Sequence, residues 1–209
     1  MCIRDRQEFE LKVEKVSEKL REKIASLTTR IDTVQRFQPS TLPRAVQIIL
    51  DAQIPGVYGT IRSLCQYPAE YEVALSAGIG AMWNYIVVEN AEVAVACIRH
   101  LKKTKGGTCS FIPLDQITPR VVKDGRLTRW PGVIAHALDI IQIAPQYMRA
   151  AEFVFGRLLI VETIEDAKEL FKERRLPLTL VSLEGDHLLA SGLMKGGAQQ
   201  RLQGQFSIK

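Results

Sequence analysis

The chain has 209 residues, of which 46% are hydrophobic and 24% are charged, and this composition is typical of soluble globular proteins with one large domain or two small ones. No run approaches the roughly 20 apolar residues that a membrane span requires, so no membrane segment is predicted. The formal net charge of +5 permits contact with nucleic acid without requiring it.

The N-terminal part of the chain predicts a coiled-coil arm. Residues 1–6 are too polar and too short for a signal peptide and are interpreted as a scar of cloning or of sequence assembly. Residues 7–38 follow, with apolar side chains at heptad spacing and one four-residue stutter. Their partner helix is expected from a returning segment or from another molecule, and the alternative is a surface helix that lies along the globular body. The apolar positions are Phe9, Val13, Val16, Leu20, Ile24, Leu27, Ile31 and Val34.

A first α/β unit is predicted over residues 42–117. Thr41 and Pro43 are typical of a helix start, and the helix is expected to run to Asp51. Alternating apolar and turn-forming segments then predict strands and helices in this order: strand Thr60–Gln66, helix Ala69–Ala77, strand Trp83–Val88, helix Ala91–Lys103 and strand Thr108–Ile112.

The same order recurs after a linker over residues 118–132, which predicts a second, pseudo-symmetric subdomain over 133–197 and a tail over 198–209. In register, Tyr71 matches Tyr147 and Gly80 matches Gly156. The fold class expected is therefore α/β (α+β), with two repeated subdomains of mixed sheet covered by helices and preceded by a long helix. The predicted elements are strand Ala137–Ile143, helix Pro145–Phe155, strand Leu158–Val161, helix Ile164–Arg174 and strand Leu178–Leu183.

The sequence contains no recognisable motif for a metal site, a phosphate-binding loop or a catalytic nucleophile. None of the four cysteines forms a C-x-x-C pair, and the three histidines are scattered, so neither a metal site nor another cofactor is predicted. The serines lack a G-x-S-x-G context, and no G-x-x-x-x-G-K-[ST] phosphate loop is present. We expect no catalytic residues in this chain and reduced thiols in a cytosolic protein.

Glycines beside strand-like segments predict a dimer interface, because glycine lets another backbone approach closely. The C-terminal glycines are expected to admit a partner strand edge to edge, and a loose loop is the alternative. Turn geometry or helix termination could equally explain the others. The predicted interface glycines are Gly56, Gly59, Gly78, Gly80, Gly192, Gly196 and Gly197.

Basic residues cluster in the middle of the chain, where few acidic residues oppose them. Such side chains suit sequence-independent contact with phosphates, and a solvated surface is the alternative. The predicted DNA-binding residues are Arg99, Lys102, Lys103, Lys105, Arg120, Lys123, Arg126 and Arg129.

Several short motifs, in this order and spacing, resemble the hinge domain of the SMC (structural maintenance of chromosomes) proteins, and the resemblance covers about residues 42–197. The first is Ile-Pro-Gly-Val-Tyr-Gly at residues 54–59, and Phe-Ile-Pro-Leu-Asp follows at 111–115. Residues 71–78, 85–89 and 94–101 are similar to the helices and strand between them. The last are Glu-Gly-Asp at 184–186 and the run from Ser191 to Gly197.

The resemblance implies a dimerisation module at the tip of an antiparallel coiled coil, in a protein whose ATPase heads would lie outside this chain. It implies pairing with an identical or paralogous hinge, weak sequence-independent contact with DNA, and a cytoplasmic location at the nucleoid or on chromosomes. The alternative from another class is a small α/β enzyme or ligand-binding domain with a helical oligomerisation arm.

Overall fold

The computed structural model describes residues 42–122, 124–174 and 177–197, and from Pro43 onward these belong to one compact unit. The predicted scar, coiled-coil arm and tail lie outside the described residues, as do Thr41 and Lys123.

Short helices and 3-10 turns alternate with the strands. The α-helices of the described residues are α1 (Arg44–Asp51), α2 (Ile61–Leu64), α3 (Glu72–Ile79), α4 (Ala91–Thr104), α5 (Ala137–Ile140), α6 (Met148–Phe155) and α7 (Ile164–Glu173). The 3-10 turns are Ala69–Tyr71, Gly80–Asn84, Leu127–Arg129 and Pro145–Tyr147.

The strands form three sheets. The described strands are β1 (Val57–Thr60), β2 (Cys65–Gln66), β3 (Ile86–Val88), β4 (Phe111–Pro113), β5 (Val133–His136), β6 (Gln142–Ile143), β7 (Leu158–Val161), β8 (Thr179–Ser182), β9 (His187–Leu188) and β10 (Met194–Lys195). The first sheet has the order β1-β3-β4 and the second the order β10-β9-β8-β7-β5, while β2 pairs with β6. The expected mixed α/β fold is confirmed.

The internal repeat is visible in the strand pairing. In each copy the first strand runs antiparallel to the next and carries a bulge, and a parallel strand follows on the other side. The antiparallel pair β2–β6 joins the copies, with Gln66 directly opposite Gln142. Because these glutamines are equivalent in the repeat, they mark a pseudo-two-fold axis within the chain.

The same error occurs in both copies of the sequence-based prediction. The predicted strands Thr60–Gln66 and Ala137–Ile143 are wrong, because each is a helical turn between two short strands. Thr60 and Ser63 form a reciprocal capping box, and His136 Nδ1 accepts a hydrogen bond from the Leu138 amide at 3.3 Å. Side-chain caps of this kind satisfy the first amides of a helix and favour a turn over an extended strand.

The other predicted elements hold with shifted ends. The strand predicted from Trp83 begins only at Ile86, since Trp83 lies in a 3-10 turn. The strand predicted at Thr108–Ile112 is found at Phe111–Pro113. The helix after the arm has Pro43 at its N-cap position, with no side-chain cap hydrogen bond.

Among the described residues, one hydrophobic core is shared by both subdomains, and another lies within the second copy and the segment before it. Ile61, Leu75 and Val87 of the first copy cluster with Phe155 and Ile160 of the second, and all of them are buried. Helix α3 packs against β8 of the opposite sheet. The predicted linker also packs against the second sheet, since Leu127 is buried and the Val122 amide donates to the Gly156 carbonyl at 2.9 Å. The two copies therefore fold as one body.

Candidate dimer interface

In each of the two larger sheets, one border strand carries a bulge, which is a device that blunts sheet edges. Strands β1 and β5 border their sheets, and the register of each shifts at a bulge, next to Tyr58 and Ile134 respectively. A bulge breaks the regular row of outward amides and carbonyls that another strand would need for pairing. The strands at the opposite borders, β4 and β10, pair with their neighbours in regular register.

Strand β4 presents the peptide groups of Phe111 to the outside of the first sheet. The Ser110 carbonyl accepts from Ile86, and the Leu114 amide donates to Val88, both at 3.0 Å. Alternate residues of a strand turn their peptide groups to opposite sides. Phe111 therefore turns its amide and carbonyl away from β3. Among the described residues no strand covers this side of β4, whereas its counterpart β8 is covered by β9.

Strand β10 presents the peptide groups of Met194 in the same way. The Leu189 amide donates to the Leu193 carbonyl at 2.8 Å, so Leu193 and Lys195 face β9 and Met194 faces away. The side chains here are unusually exposed for their size, 61% for Leu193 and 48% for Met194. An open edge with exposed apolar side chains is a surface suited to pairing with another strand.

Two matching hairpins build this edge. The loops 183–185 and 190–192 each contain three residues and end on a glycine with positive φ, +93° at Gly185 and +86° at Gly192. A three-residue loop of this kind places a residue in the left-handed region, which glycine adopts without a steric penalty. The sequence motifs Glu-Gly-Asp and Ser-Gly thus form the turns that connect β8 to β9 and β9 to β10.

At three of the predicted interface positions, contacts within the chain itself explain why the residue is glycine. A β-carbon on Gly78 would lie 2.7 Å from Leu158 Cδ1, and one on Gly56 would lie 2.7 Å from Val93 Cγ2. A β-carbon on Gly59 would lie 2.8 Å from Ser63 Oγ. These glycines permit close packing inside the molecule and give no support to an interface role.

The remaining four predicted glycines are exposed. Gly80 follows α3 with φ +52° and ψ −121°, a backbone conformation that favours glycine. Gly192 lies in the second hairpin loop, while Gly196 and Gly197 follow β10 directly. Gly132, which was not predicted from the sequence, is the counterpart of Gly56: both have positive φ, and each carbonyl accepts the amide of the matching glutamate, Glu89 or Glu162.

The predicted DNA-binding residues fall into two groups, and every described member is exposed. Arg99, Lys102 and Lys103 lie on α4, and Lys105 follows its end. Arg120, Arg126 and Arg129 lie on the segment that packs against the second sheet. Lys123 is outside the described residues. Cations at the C-terminal end of α4 also complement the negative end of its helix dipole.

Two of the described thiols, buried Cys65 and half-buried Cys109, have raised pKa values that keep them protonated at neutral pH. Burial raises the pKa of Cys65 from 9.0 to about 12, and burial raises that of Cys109 to about 11. Thiolates are the reactive form, so neither side chain suits nucleophilic chemistry. Within the described ranges no group of three or more His, Cys, Asp or Glu side chains could hold a metal ion. No helix there is both long and apolar enough to cross a membrane.

Comparison with known proteins gives a consistent result. The model of the SMC proteins flexible hinge domain matches residues 54–171. The chromosome partition protein Smc of Methanocaldococcus jannaschii is 36% identical over 168 residues, which cover 80% of this chain and 14% of that protein. Our chain therefore spans about a seventh of the length of that relative.

Two solved structures are similar across most of the chain. An asymmetric dimer of the Geobacillus stearothermophilus SMC hinge domain has a TM-score of 0.77 at 27% identity, covering 90% of this chain and 80% of that one. The Pyrococcus furiosus SMC hinge domain has a TM-score of 0.66 at 27% identity, covering 80% and 86%.

The fold and its open edges define an α/β module made of two fused repeats. The chain belongs to the SMC hinge family, because the hinge model matches more than half of it. This membership favours the hinge interpretation over the small α/β enzyme considered from the sequence.

Proposed function

We propose that this chain is the dimerisation hinge of an SMC chromosome-organising protein and that two hinges join through the edges of β4 and β10. The observation that carries the proposal is the pair of outward-facing peptide groups, one at Phe111 and one at Met194, on sheets whose other edges are bulged. The G. stearothermophilus hinge, described as an asymmetric dimer, supports association between two hinges by similarity.

The repeat explains why these two edges suit each other. In the second sheet β8 is followed by β9 and β10, whereas in the first sheet the equivalent β4 is the last described strand. The open side of β4 therefore offers a place for a strand, and β10 of another hinge would fill it. In a symmetric dimer the contact occurs twice, since each molecule offers both edges, and the assembly is closed. The partner is an identical hinge or a paralogous one.

A proline test addresses the edge directly. Met194→Pro removes the outward amide, so the dimer should dissociate or weaken at least tenfold. Ala190→Pro is the matched control, because Ala190 occupies the second position of the turn in the same hairpin, where proline is favoured. Sedimentation equilibrium measures the dimer dissociation constant, and circular dichroism checks the fold. A folded Met194→Pro variant that dimerises like the control would contradict pairing through β10.

We further propose that the hinge makes a weak, sequence-independent contact with DNA and works on chromosomes. The exposed basic side chains at the end of α4 support this contact, because backbone phosphates attract clustered lysines without base reading. The name of the M. jannaschii relative, a chromosome partition protein, supports the location. ATP hydrolysis would belong to parts of the protein outside this chain.

A further inference from the structure

Strand β10 is held to its sheet by little regular structure. Only Met194 and Lys195 pair with β9, and every residue from 191 to 197 is exposed. A two-residue strand at a sheet edge has few hydrogen bonds to hold it, and such segments open at low free-energy cost. A further contact beyond Lys195 is therefore important for keeping the strand in place.

Asp186 supplies that contact. Its backbone closes the first hairpin, since the Ser182 amide donates to the Asp186 carbonyl at 2.8 Å and the Asp186 amide donates to Ser182 Oγ at 3.1 Å. Its carboxylate accepts a hydrogen bond from the Gly197 amide at 2.9 Å. The Asp186 side chain thus connects the start of β9 to the segment that follows β10.

Gly196 makes this reach possible. Continuing the pairing of Lys195 with His187 places Gly196 opposite Asp186, at a position where the two backbones approach closely. A β-carbon on Gly196 would overlap the Asp186 carboxylate. Its φ is outside the range that disfavours other residues, so the need for glycine comes from the carboxylate rather than from the backbone.

We propose that Asp186 is a positioning residue for dimerisation: its carboxylate clamps the Gly196–Gly197 segment and fixes β10 in the conformation that a partner strand recognises. This inference rests on the proposed function of the β10 edge. It gives Gly196 a role within its own chain, because this glycine accommodates the Asp186 carboxylate. An edge that is ordered before association binds more tightly, since apparent affinity scales with the fraction of molecules in the competent state.

The test combines Asp186→Ala and Gly196→Ala, singly and together. A hydrogen bond to a charged acceptor is strong enough that its loss should weaken the dimer roughly tenfold to a hundredfold. Asp186→Asn keeps an acceptor oxygen and should restore most of the affinity. Glu184→Ala, an exposed carboxylate in the same hairpin, is the control and should change nothing. The dimer dissociation constant is read by sedimentation equilibrium.

The double variant separates the clamp from a direct interface role. With the carboxylate removed, a methyl group on Gly196 still meets the β-carbon of residue 186 at 3.1 Å, a contact that a shift of a few tenths of an ångström relieves. Gly196→Ala should therefore add little to Asp186→Ala. If Gly196 instead touches the partner, its substitution weakens the dimer equally in both backgrounds, and the clamp is overturned.

Amide exchange of the dilute monomer distinguishes local loosening of β10 from a general loss of stability. Asp186→Ala should speed exchange at Lys195 and Gly197 while leaving the Val181 amide of β8 protected. Equal loss of protection at all three would show that Asp186 only stabilises the fold. If Met194→Pro breaks the dimer and Asp186→Ala does not, the clamp alone is wrong. If neither variant weakens the dimer, β10 is not the interface, and both proposals fail.

Discussion

The buried thiol of Cys65 lies where the two repeats meet, in the strand pair with β6. Burial raises its pKa from 9.0 to about 12 because the interior disfavours the thiolate. The unfolded chain therefore loses this proton first as the pH rises. The stability that Cys65 contributes is complete below about pH 9 and is lost as the pH climbs toward about 12.

We expect stability to fall with a slope of up to about 1.4 kcal/mol per pH unit from this group, and Cys65→Ala should flatten that slope. Urea unfolding at a series of pH values from about 8 to about 11 measures it. Ile141→Val trims the same core without removing a titratable group, so it should lower stability evenly at every pH. An unchanged slope in Cys65→Ala would mean that its thiol ionises freely in the folded state.

Glycines illustrate what a sequence conveys about single residues. Their positions beside strands predicted the close approach of a partner backbone, which stays a prediction. At Gly56, Gly78 and Gly196 the structure shows close approach by side chains of the same chain. The group that approaches was not predictable, because Leu158 and Asp186 come from other parts of the chain. The role of Asp186 was not predictable either, since nothing in the local sequence points to an amide eleven residues away.

Helix α4 combines a firm N-terminus with an unusual C-terminus. The Asn90 side chain accepts from the Val93 amide at 3.0 Å, while Lys105 adopts the left-handed conformation beyond the last turn, with φ +51°. The Gly106 amide returns to the Leu101 carbonyl at 3.0 Å, which completes a Schellman-type end. Lysine is uncommon in this conformation. Lys105 nevertheless extends the positive surface formed by Lys102 and Lys103.

Lys102→Gln together with Lys103→Gln should weaken DNA binding for all sequences alike. The slope of log affinity against log salt should become shallower by roughly 0.9 for each duplex phosphate that the variant no longer neutralises. Lys168→Gln with Lys172→Gln, on exposed positions of α7, changes the net charge equally and is the control. Fluorescence anisotropy across a salt series measures both pairs. Equal effects of the two pairs would indicate net charge alone rather than a contact at α4.

Elements were predictable where the apolar pattern agrees with the local hydrogen bonding. Helix Ala91–Lys103 and strand Leu158–Val161 were placed within one residue, because each has a clear period and a clear cap. The turns at Ile61–Leu64 and Ala137–Ile140 were predicted as strands. Their apolar residues pack into the core on several sides, so the sequence shows neither the helical nor the strand period of hydrophobic residues. The Thr60–Ser63 cap was the available signal.

At the scale of the molecule, the repeat was visible in the sequence but its packing was not. Two similar units suggested two subdomains joined by a linker. The structure instead gives them a shared core, in which Trp83 of the first copy meets Phe155 of the second edge to face at 5.6 Å. Long-range contacts of this kind leave no local pattern. The shared core holds the β4 and β10 edges on one body, so both can act together in a closed dimer.

The central claim, that two hinges pair through these edges, is tested most directly by amide exchange as a function of protein concentration. The Phe111 and Met194 amides face away from their own sheets, so both should exchange quickly in the dilute monomer and become protected together as the dimer forms. Val87, which is central in the first sheet, should stay protected throughout and serves as the internal reference. A dimer in which the Phe111 and Met194 amides still exchange as fast as in the monomer would contradict pairing through these edges.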